Sequence, residues 1–315
     1  LLGQVSRGSD HLDDLDLNPL LIKVDGSDSI NYDRDRPRNA VPDTLDAEIV
    51  RDAARFLNDG EKMQLSYAVQ NTHRTVGTRT SSHIVRNFGM RNSLQSDHLT
   101  VKLTGSAGQA LGAFAAPGLK IEVSGDANDY VGKGLSGGII SVRPPMVSPL
   151  VAAENTIIGN TVLYGATDGY LFAAGRAGER FAVRNSGAKV VVEGCGSNGC
   201  EYMTGGIAVI LGTIGANFGA GMTGGMAYLY DPEGLVDDML NMESLVTGPV
   251  AVQHWEDQLL DLIQRHVAET NSAKGAEILR NWDLEKANFV QVCPKEMLDK
   301  IPHPLTLEQD AVPAE

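Results

Sequence analysis

A short phrase, two glycines followed by an apolar run, returns along this chain at a nearly constant interval. It occurs at Gly137–Gly138, Gly205–Gly206 and Gly224–Gly225, each time ahead of residues typical of β-strands. Single glycines continue the interval from Gly206 towards the N-terminus. A fixed period of roughly 20 residues is typical of stacked units that bury their apolar faces against one another. The pattern therefore predicts a β-solenoid.

Glycine is concentrated in the middle of the chain. Residues 98–234 contain 27 of the 35 glycines, and glycine is unfavourable inside helices. It permits positive φ angles and the close approach of two backbones, which tight coils require. Between the glycines lie short runs of β-forming residues, at Leu99–Leu103, Leu119–Val123, Ile139–Val142, Thr161–Tyr164, Phe181–Val183 and Val190–Val192. We therefore predict a mainly β fold.

Helical patterns are confined to the two ends of the chain. We predict a helix, a strand and a helix before the solenoid, and two helices and a strand after it. Their bounds are Leu45–Asn58, Gln64–Val69, Ser82–Phe88, Val252–Glu269, Ala273–Trp282 and Phe289–Val292. The expected organisation is a connector and helical cap at residues 1–97, the solenoid at 98–240 and a helical tail at 241–315.

The charge and the cysteine content restrict the partners and the compartment. The net charge is −14, so the surface would repel nucleic acids and anionic membranes, and we expect neither as a partner. The sequence contains no apolar run long enough to span a membrane and no secretory signal. Three sparse cysteines are typical of a reducing compartment. Because the chain also opens on Leu1, we expect a segment of a longer cytoplasmic protein.

The motif G-x-G-x-x-G occurs three times and raises the possibility of a dinucleotide site. It stands at Gly132-Gly134-Gly137, at Gly194-Gly196-Gly199 and at Gly219-Gly221-Gly224. A dinucleotide site requires the motif to join a strand to a helix, so that the pyrophosphate meets the helix N-terminus. Here the residues that follow favour strands instead. A dinucleotide-binding enzyme therefore stands only as a weak alternative.

The polar side chains show no spacing that indicates catalysis or metal binding. The histidines are scattered, and the C-x4-C spacing of Cys195 and Cys200 is a weak metal pattern, so we interpret these cysteines as buried or turn residues. Asp126 and Asp129 near glycines are expected to cap turn amides, and Lys133 is expected to be solvated. We assign no catalytic, cofactor-binding or metal-binding residue.

The residues that we single out are glycines, as structural corners where the chain turns into a strand. A side chain at these positions would meet a strained φ angle or a neighbouring backbone. They are Gly132, Gly134, Gly137, Gly138, Gly205, Gly206, Gly221, Gly224 and Gly225.

Several long runs resemble one known family. The runs Gly125–Gly138 (GDANDYVGKGLSGG) and Gly199–Gly206 (GCEYMTGG) are similar to the C-terminal GXGXG domain of the glutamate synthase large subunit, as are Thr104–Gln109 and Asn71–Arg79. Residues 11–21 resemble the connector that follows that enzyme's flavin barrel. One departure stands at Cys195-Gly196-Ser197-Asn198, where the family tends to show Val-Gly-Asp-His. The resemblance covers nearly the whole chain.

The resemblance implies a right-handed parallel β-helix and a structural role. It implies a parent in which an amidotransferase releases ammonia from glutamine, and a barrel with FMN and a 3Fe-4S cluster converts 2-oxoglutarate to glutamate. Electrons come from a small subunit that carries NADPH and FAD, or from ferredoxin. The β-helix would brace these domains and the ammonia path, without a cofactor of its own. The implied partners are the other domains of the large subunit and, as a further candidate, the small NADPH-linked subunit.

One alternative of a different class remains at this point. The same kind of solenoid occurs in a scaffold subunit of formylmethanofuran dehydrogenase, where it supports a metalloenzyme as a separate chain. The connector-like residues 11–21 favour glutamate synthase over this alternative.

Overall fold

A computed structural model describes Asp16 and residues 42–306 of this chain, and the residues from Asp43 onward belong to one compact unit. The connector predicted at residues 11–21 lies outside the described residues, apart from Asp16. Within the described part of the chain, no helix is both long and apolar enough to cross a membrane.

The N-terminal flank contains the predicted helix, strand and helix, with two differences. The first helix is interrupted at Ala53, and the second begins earlier than predicted, directly after Gly77, which has a φ of +97°. The elements are α1 (Leu45–Asp52), α2 (Ala54–Asp59), β1 (Met63–Val69) and α3 (Thr78–Phe88). Ile49, Phe56 and Ile84 bury this flank against the end of the sheet.

The middle of the chain is built from strands, as the glycine content predicts. In residues 98–234, all of which are described, the only helical piece is a short 3-10 turn at Ala152–Glu154. The strands are β2 (Leu99–Ala107), β3 (Leu119–Ala127), β4 (Ser136–Arg143), β5 (Thr156–Ile158), β6 (Asp168–Ala173), β7 (Arg176–Ala177), β8 (Ser186–Val192), β9 (Thr204–Ile210) and β10 (Gly224–Tyr230), followed later by β11 (Leu245–Pro249) and β12 (Phe289–Pro294). The mainly β class is confirmed.

Eight of these strands form one parallel stack. Its order is β1-β2-β3-β4-β6-β8-β9-β10, and every neighbouring pair is parallel. The short strands β5 and β7 lie off this path, with β5 pairing in parallel with both β3 and β7. Strand β12 pairs antiparallel with β10 and ends the stack, and β11 pairs antiparallel with β12.

The register places like residues above one another on the inner face of the stack. The paired residues form one continuous apolar row that is shielded from solvent in a single core cluster. In order, the row contains Val101, Ile121, Ile140, Leu171, Val190, Ala208, Ala227 and Val292. Burial of each large aliphatic side chain contributes roughly 1.5–3 kcal/mol of transfer free energy.

The C-terminal helices cover the opposite face of the stack. They are α4 (Gln253–Thr270), α5 (Ala273–Arg280) and α6 (Trp282–Glu285). Leu259, Leu262 and Ile263 of α4 pack against Phe172 and Val191 in a second core cluster. Helix α4 is further tied to the sheet by Lys120, whose Nζ lies 2.7 Å from Glu269 Oε2.

This cover explains a change of pattern along the sequence. Strand β3 alternates between buried and half-exposed residues, because only its inner face is covered. Strand β8 instead contains the continuous apolar run Val190–Val192, because its residues are buried on both faces. A strand that is buried on both sides loses the alternation that marks a half-buried one.

Two predicted strands are wrong. Thr161–Tyr164 and Phe181–Val183 are turns, although their residues favour strands. Leu163 and Ala182 have φ angles of +59° and +56°, in the left-handed region that strands exclude. We call each strand of the stack, together with the turn that leads to the next strand, a coil. The hydrogen bonds of these two segments to the neighbouring coils therefore outweigh the preference of their residues for strands.

A buried polar group joins the C-terminal helices to the stack. Glu193, directly after β8, is 2% exposed and accepts a short hydrogen bond from Ser272 Oγ. Ser272 is also the N-cap of α5 and accepts from Gly275 N at 2.9 Å. His266 of α4 is fully buried beside them, with Nε2 3.5 Å from Glu193 Oε1. A carboxyl group in this position requires Ser272 as its donor, because a buried polar group without a hydrogen bond is costly.

We expect Ser272→Ala to lower the free energy of unfolding by roughly 2–3 kcal/mol, since it removes an N-cap and a partner of a buried carboxylate. Thr44→Ala is the matched control, because Thr44 caps α1 through Ala47 N and has no such partner in the described residues. It should cost about 1 kcal/mol. Urea melts of both variants measure the difference, and equal losses would show that the contact with Glu193 adds nothing.

Candidate functional site

The nine predicted glycines fall into two separate groups. Six stand in pairs at the starts of β4, β9 and β10. The other three, Gly132, Gly134 and Gly221, lie in turns and have φ angles of +65°, +63° and +63°. The sequence pattern treated them as one kind of corner, whereas the structure separates them by what each one contacts.

The paired glycines let one backbone lie directly against the next. A Cβ atom on Gly205 would overlap the carbonyl oxygen of Ser186, and one on Gly224 would overlap that of Thr204. Gly206 also has a φ of +84°, and its Cβ would overlap the carbonyl oxygen of Ala188. The ladder between β9 and β10 shifts register just after Gly224, as a β-bulge does. Both the φ angle and the lack of space therefore exclude larger residues at Gly206, whereas at Gly205 and Gly224 the lack of space alone does so.

At Gly137–Gly138 the neighbour is a side chain as well as backbone. A Cβ on Gly137 would lie 2.5 Å from Pro117 Cγ, and one on Gly138 would lie 2.9 Å from Ala115 Cβ. The ladder between β4 and β6 shifts register in this segment too, between Ser136 and Ile139. The start of β4 therefore repeats the bulge seen at β10.

The turn glycines belong to a larger feature that we name the turn column. In six successive coils, three alternate residues have left-handed φ angles between +53° and +72°. Most of them are not glycine. The column consists of Ala110/Gly112/Phe114, Tyr130/Gly132/Gly134, Thr161/Leu163/Gly165, Arg180/Ala182/Arg184, Asn198/Cys200/Tyr202 and Asn217/Gly219/Gly221.

Hydrogen bonds in the turn column run alternately to the two neighbouring coils. Tyr130 N donates forward to Asn160 O at 2.9 Å, Gly132 N donates back to Leu111 O at 2.9 Å, and Gly134 N donates forward to Tyr164 O at 2.9 Å. The same alternation recurs at residues 110–114, 180–184 and 198–202. Each coil is therefore fixed to the one before and the one after it by its own backbone.

The middle residue of each triplet points inward and the outer two point outward. The middle positions, such as Leu163 and Cys200, are buried in every coil. The left-handed φ costs a residue with a side chain roughly 1–2 kcal/mol, and asparagine and glycine least. The sequence could have revealed these positions, because Ala182, Cys200 and Gly219 follow one another at nearly the same interval as the paired glycines.

The G-x-G-x-x-G motifs lead into strands, not helices. Strand β4 begins within the first copy, β9 follows the second, and β10 begins at the last glycine of the third. The helix N-terminus that would receive a pyrophosphate is therefore missing from all three, each of which lies in a fully described stretch. The alternative of a dinucleotide site on these loops loses its structural basis.

Of the two aspartates that were expected to cap turn amides, Asp129 does so, whereas Asp126 instead pairs across strands β2 and β3. Asp129 Oδ1 accepts from Asn160 N at 2.8 Å, as expected for an aspartate near a glycine turn. Asp126 accepts from Ser106 Oγ at 3.0 Å, and Glu201 pairs with Arg180 at 3.1 Å. Lys133 Nζ lies 5.8 Å from the ring centre of Tyr130. Among the described residues, no group of three or more His, Cys, Asp or Glu is placed to hold a metal ion.

The three cysteines are buried free thiols in two different cores. Cys195 and Cys200 lie in the inner cluster, and Cys293 lies under the C-terminal helices. Burial raises the pKa of Cys195 to about 12 and that of Cys293 to about 11. Burial also raises the pKa of Cys200 well above its usual value. The C-x4-C pair is therefore a packing feature, as predicted.

The loop that departs from the family pattern has a definite structural use. Asn198 has a φ of +60°, which asparagine tolerates better than most residues. Its Oδ1 accepts from Asn217 Nδ2 at 2.8 Å, and Asn217 Oδ1 accepts from Asn241 Nδ2 at 2.8 Å. Three successive asparagines thus form a ladder along the edge of the turn column.

Comparison with known proteins assigns the family. The model of the GXGXG motif family matches residues 46–295, which is more than half of the chain. The chain therefore belongs to the GXGXG family, and the resemblance seen in runs such as Gly125–Gly138 is confirmed.

The relatives are glutamate synthases of several kinds. The glutamate synthase (NADPH) large chain of Azospirillum brasilense is 61% identical over 315 residues, which is 100% of this chain and 21% of that protein. That of Bacillus subtilis is 40% identical over 289 residues, covering 89% of this chain and 18% of that protein. Ferredoxin-dependent glutamate synthase 2 of Synechocystis is 42% identical over 287 residues, with 90% and 18% covered. The chain thus spans about a fifth of their length.

We expect Gly206→Val to lower the free energy of unfolding by roughly 2–4 kcal/mol, since valine combines a disfavoured φ with overlap of the backbone at Ala188. Gly248→Val is the matched control, because a Cβ on Gly248 meets nothing within 4 Å. It should stay within about 0.5 kcal/mol of the parent. Thermal or urea melts measure both, and a Gly206→Val protein that melts like the parent would contradict the close approach.

We expect all three thiols to resist Ellman's reagent at about pH 8, because their raised pKa values keep them as neutral thiols and burial excludes the reagent. After unfolding in guanidinium, all three should react. Rapid labelling of Cys195 or Cys200 in the native protein would show that the turn column opens to solvent.

Proposed function

We propose that this chain is the GXGXG region of a glutamate synthase large chain and acts there as a structural brace. The observation that carries the proposal is the identity of 61% to the A. brasilense large chain over the whole of this chain. The relatives include NADPH-dependent and ferredoxin-dependent enzymes, so we do not assign the electron donor. The separate scaffold of formylmethanofuran dehydrogenase type is not favoured by these relatives.

We infer that residues 98–240 wind as a right-handed parallel β-helix. Support comes from the parallel stack of β2, β3, β4, β6, β8, β9 and β10, whose successive members are joined through the turn column. The hand is inferred from the family and from the strong general preference of parallel connections for right-handedness. Residues 43–97 would cap one end of the coil, and residues 241–306 would cover its side and its other end.

The brace would act through stiffness. Each coil is bonded to both neighbours along its strand and along its turns, so a load applied at one coil is shared by the next. We assign the nine glycines a structural role and propose no catalytic residue in this chain. In the parent, glutamine, 2-oxoglutarate and reductant would give two glutamates, with FMN, the 3Fe-4S cluster, NADPH and FAD held elsewhere, in the cytoplasm. The region would hold the amidotransferase and flavin domains so that ammonia passes between them.

The proposal is tested by damaging the coil in the full-length large chain. With Gly206→Val, we expect glutamine hydrolysis to persist within about twofold while glutamate formation from 2-oxoglutarate falls about tenfold or more, because ammonia is no longer delivered in a fixed geometry. Gly248→Val should leave both rates unchanged. The two rates and the ammonia released to solution are measured side by side.

Two results would contradict the brace. One is a Gly206→Val enzyme that is shown to have a disordered GXGXG region and yet retains coupled synthesis. The other is glutamine turnover or flavin binding by the 315-residue chain alone, which would place catalytic machinery inside it.

A further inference from the structure

The exposed aromatic side chains of this protein are gathered in one place. In the described part of the chain, the exposed phenylalanine and tyrosine residues are Phe114, Tyr130, Tyr164 and Tyr202, at 54%, 39%, 37% and 54%. All four stand on or beside left-handed positions of the turn column. We name these four residues the aromatic stripe. Only 5% of the chain is aromatic, so their gathering on one edge of the fold is a specific feature.

Three of the four rings lie on successive coils, and Tyr202 lies two coils beyond Tyr164. Phe114 covers the backbone of Gly134 in the next coil, where a Cβ would run into its ring. Gly134 N donates to Tyr164 O at 2.9 Å, which brings the following coil alongside. Lys133 Nζ lies 5.8 Å and 6.0 Å from the ring centres of Tyr130 and Tyr164.

Three of these residues have left-handed φ angles, and at two of the three positions other coils use glycine instead. Phe114, Tyr130 and Tyr202 have φ angles of +57°, +63° and +53°. A bulky residue rarely adopts this region, which glycine enters at little cost. The positions equivalent to Phe114 and Tyr202 are glycine in other coils, at Gly134 and Gly221, whereas the positions equivalent to Tyr130 are not. Strained residues that persist where glycine would suffice commonly serve a function.

The charge beside the stripe is balanced, unlike that of the chain as a whole. The chain carries a net charge of −14, whereas the turns that carry the stripe contain Lys133, Arg180 and Arg184 together with Asp129, Glu179 and Glu201. Arg180 is paired with Glu201, but Arg184 has no side-chain hydrogen bond or ion pair among the described residues. Tyrosine, phenylalanine and arginine are among the residues enriched at the centres of protein interfaces.

We propose that the aromatic stripe is the docking face for an apolar surface on another part of the same long chain. This inference rests on the proposed function. Most of the A. brasilense relative lies outside the matched region, since the match covers 21% of that protein, so ample chain exists to cover the stripe.

The first test is hydroxyl-radical footprinting of the full-length large chain, with the urea-unfolded chain as the reference for intrinsic reactivity. We expect Phe114, Tyr130, Tyr164 and Tyr202 to be labelled about tenfold or more slowly than in the reference, because a docked face excludes solvent. Labelling close to the unfolded rate would overturn the proposal. Protection that disappears on dilution would also overturn it, because it would mean that a second copy covers the stripe.

The second test removes a ring without damaging the coil. Tyr130→Gly relieves the left-handed φ, and no glycine has the Tyr130 ring among its nearest atoms. Thr161→Gly is the matched control, since Thr161 occupies the equivalent position in the next coil with a φ of +58°. Tyr130→Asn is a second variant that tolerates the same φ. Melts and limited proteolysis between this region and the remainder of the full-length chain are measured for all three.

We expect both Tyr130 variants to raise the cleavage rate about tenfold, as loss of an interface anchor does, while the melting temperature of the region holds or rises. Thr161→Gly should leave the cleavage rate unchanged. Unchanged cleavage in the Tyr130 variants, or a loss of stability without faster cleavage, would overturn the proposal, because the ring would then serve the coil itself.

The footprint separates this inference from the proposed function. In one outcome, glutamate synthesis depends on the region while all four rings are labelled freely. That outcome would contradict the docking face but not the brace. In the other outcome, the rings are protected but glutamate synthesis does not depend on the region. That outcome would contradict the brace but not the docking face.

Discussion

The backbone hydrogen bonds that join each coil to the next are the interaction on which the rest of this structure depends. Along the strands they form a parallel ladder, and along the turns the donors point alternately forward and back, as at Tyr130, Gly132 and Gly134. Because these groups are satisfied only by other coils, displacing one coil leaves donors and acceptors unpaired on both of its neighbours. The apolar rows inside follow from this spacing, since the ladder fixes which side chains meet. The close approaches at Gly206 and Gly224 follow from it as well.

The sequence was sufficient for the class of fold and for most elements, and insufficient for the turns. Glycine pairs at a regular interval predicted the stack, and apolar periodicity predicted the flanking helices with small errors at their ends and a missed break at Ala53. The turn column was missed because local preference misleads there. Leu163 and Ala182 occur in runs that favour strands, and only the neighbouring coils hold them at positive φ. Glycine marks some of these positions, whereas others carry leucine, cysteine or arginine, so composition alone cannot identify them.

The roles of the candidate site residues, like the turns, depend on contacts with neighbouring coils. The sequence selected nine glycines as one class, and contacts with neighbouring coils divide them into six at strand starts and three in turns. The asparagine ladder at Asn198, Asn217 and Asn241 could not be seen from spacing, because its last member lies outside the repeat. Membership of the GXGXG family accounts for both groups at once, since a stack of coils needs close backbone approach at one edge and tight turns at another.

One coil is longer than the others, so the fold tolerates extra residues at one place. Equivalent turn positions follow one another at a nearly constant interval, except that the step from Gly132 to Leu163 is longer by more than half. The surplus lies between β4 and β5, yet Leu163 N still donates to Val131 O at 2.8 Å, as its counterparts in other coils do. Since the free energy needed to close a loop grows only logarithmically with its length, chain length here is independent of the register on either side. The loop between β4 and β5 can therefore become longer in evolution without changes in the buried core. For the same reason, the chain can be opened or a module inserted in this loop without redesign of the core.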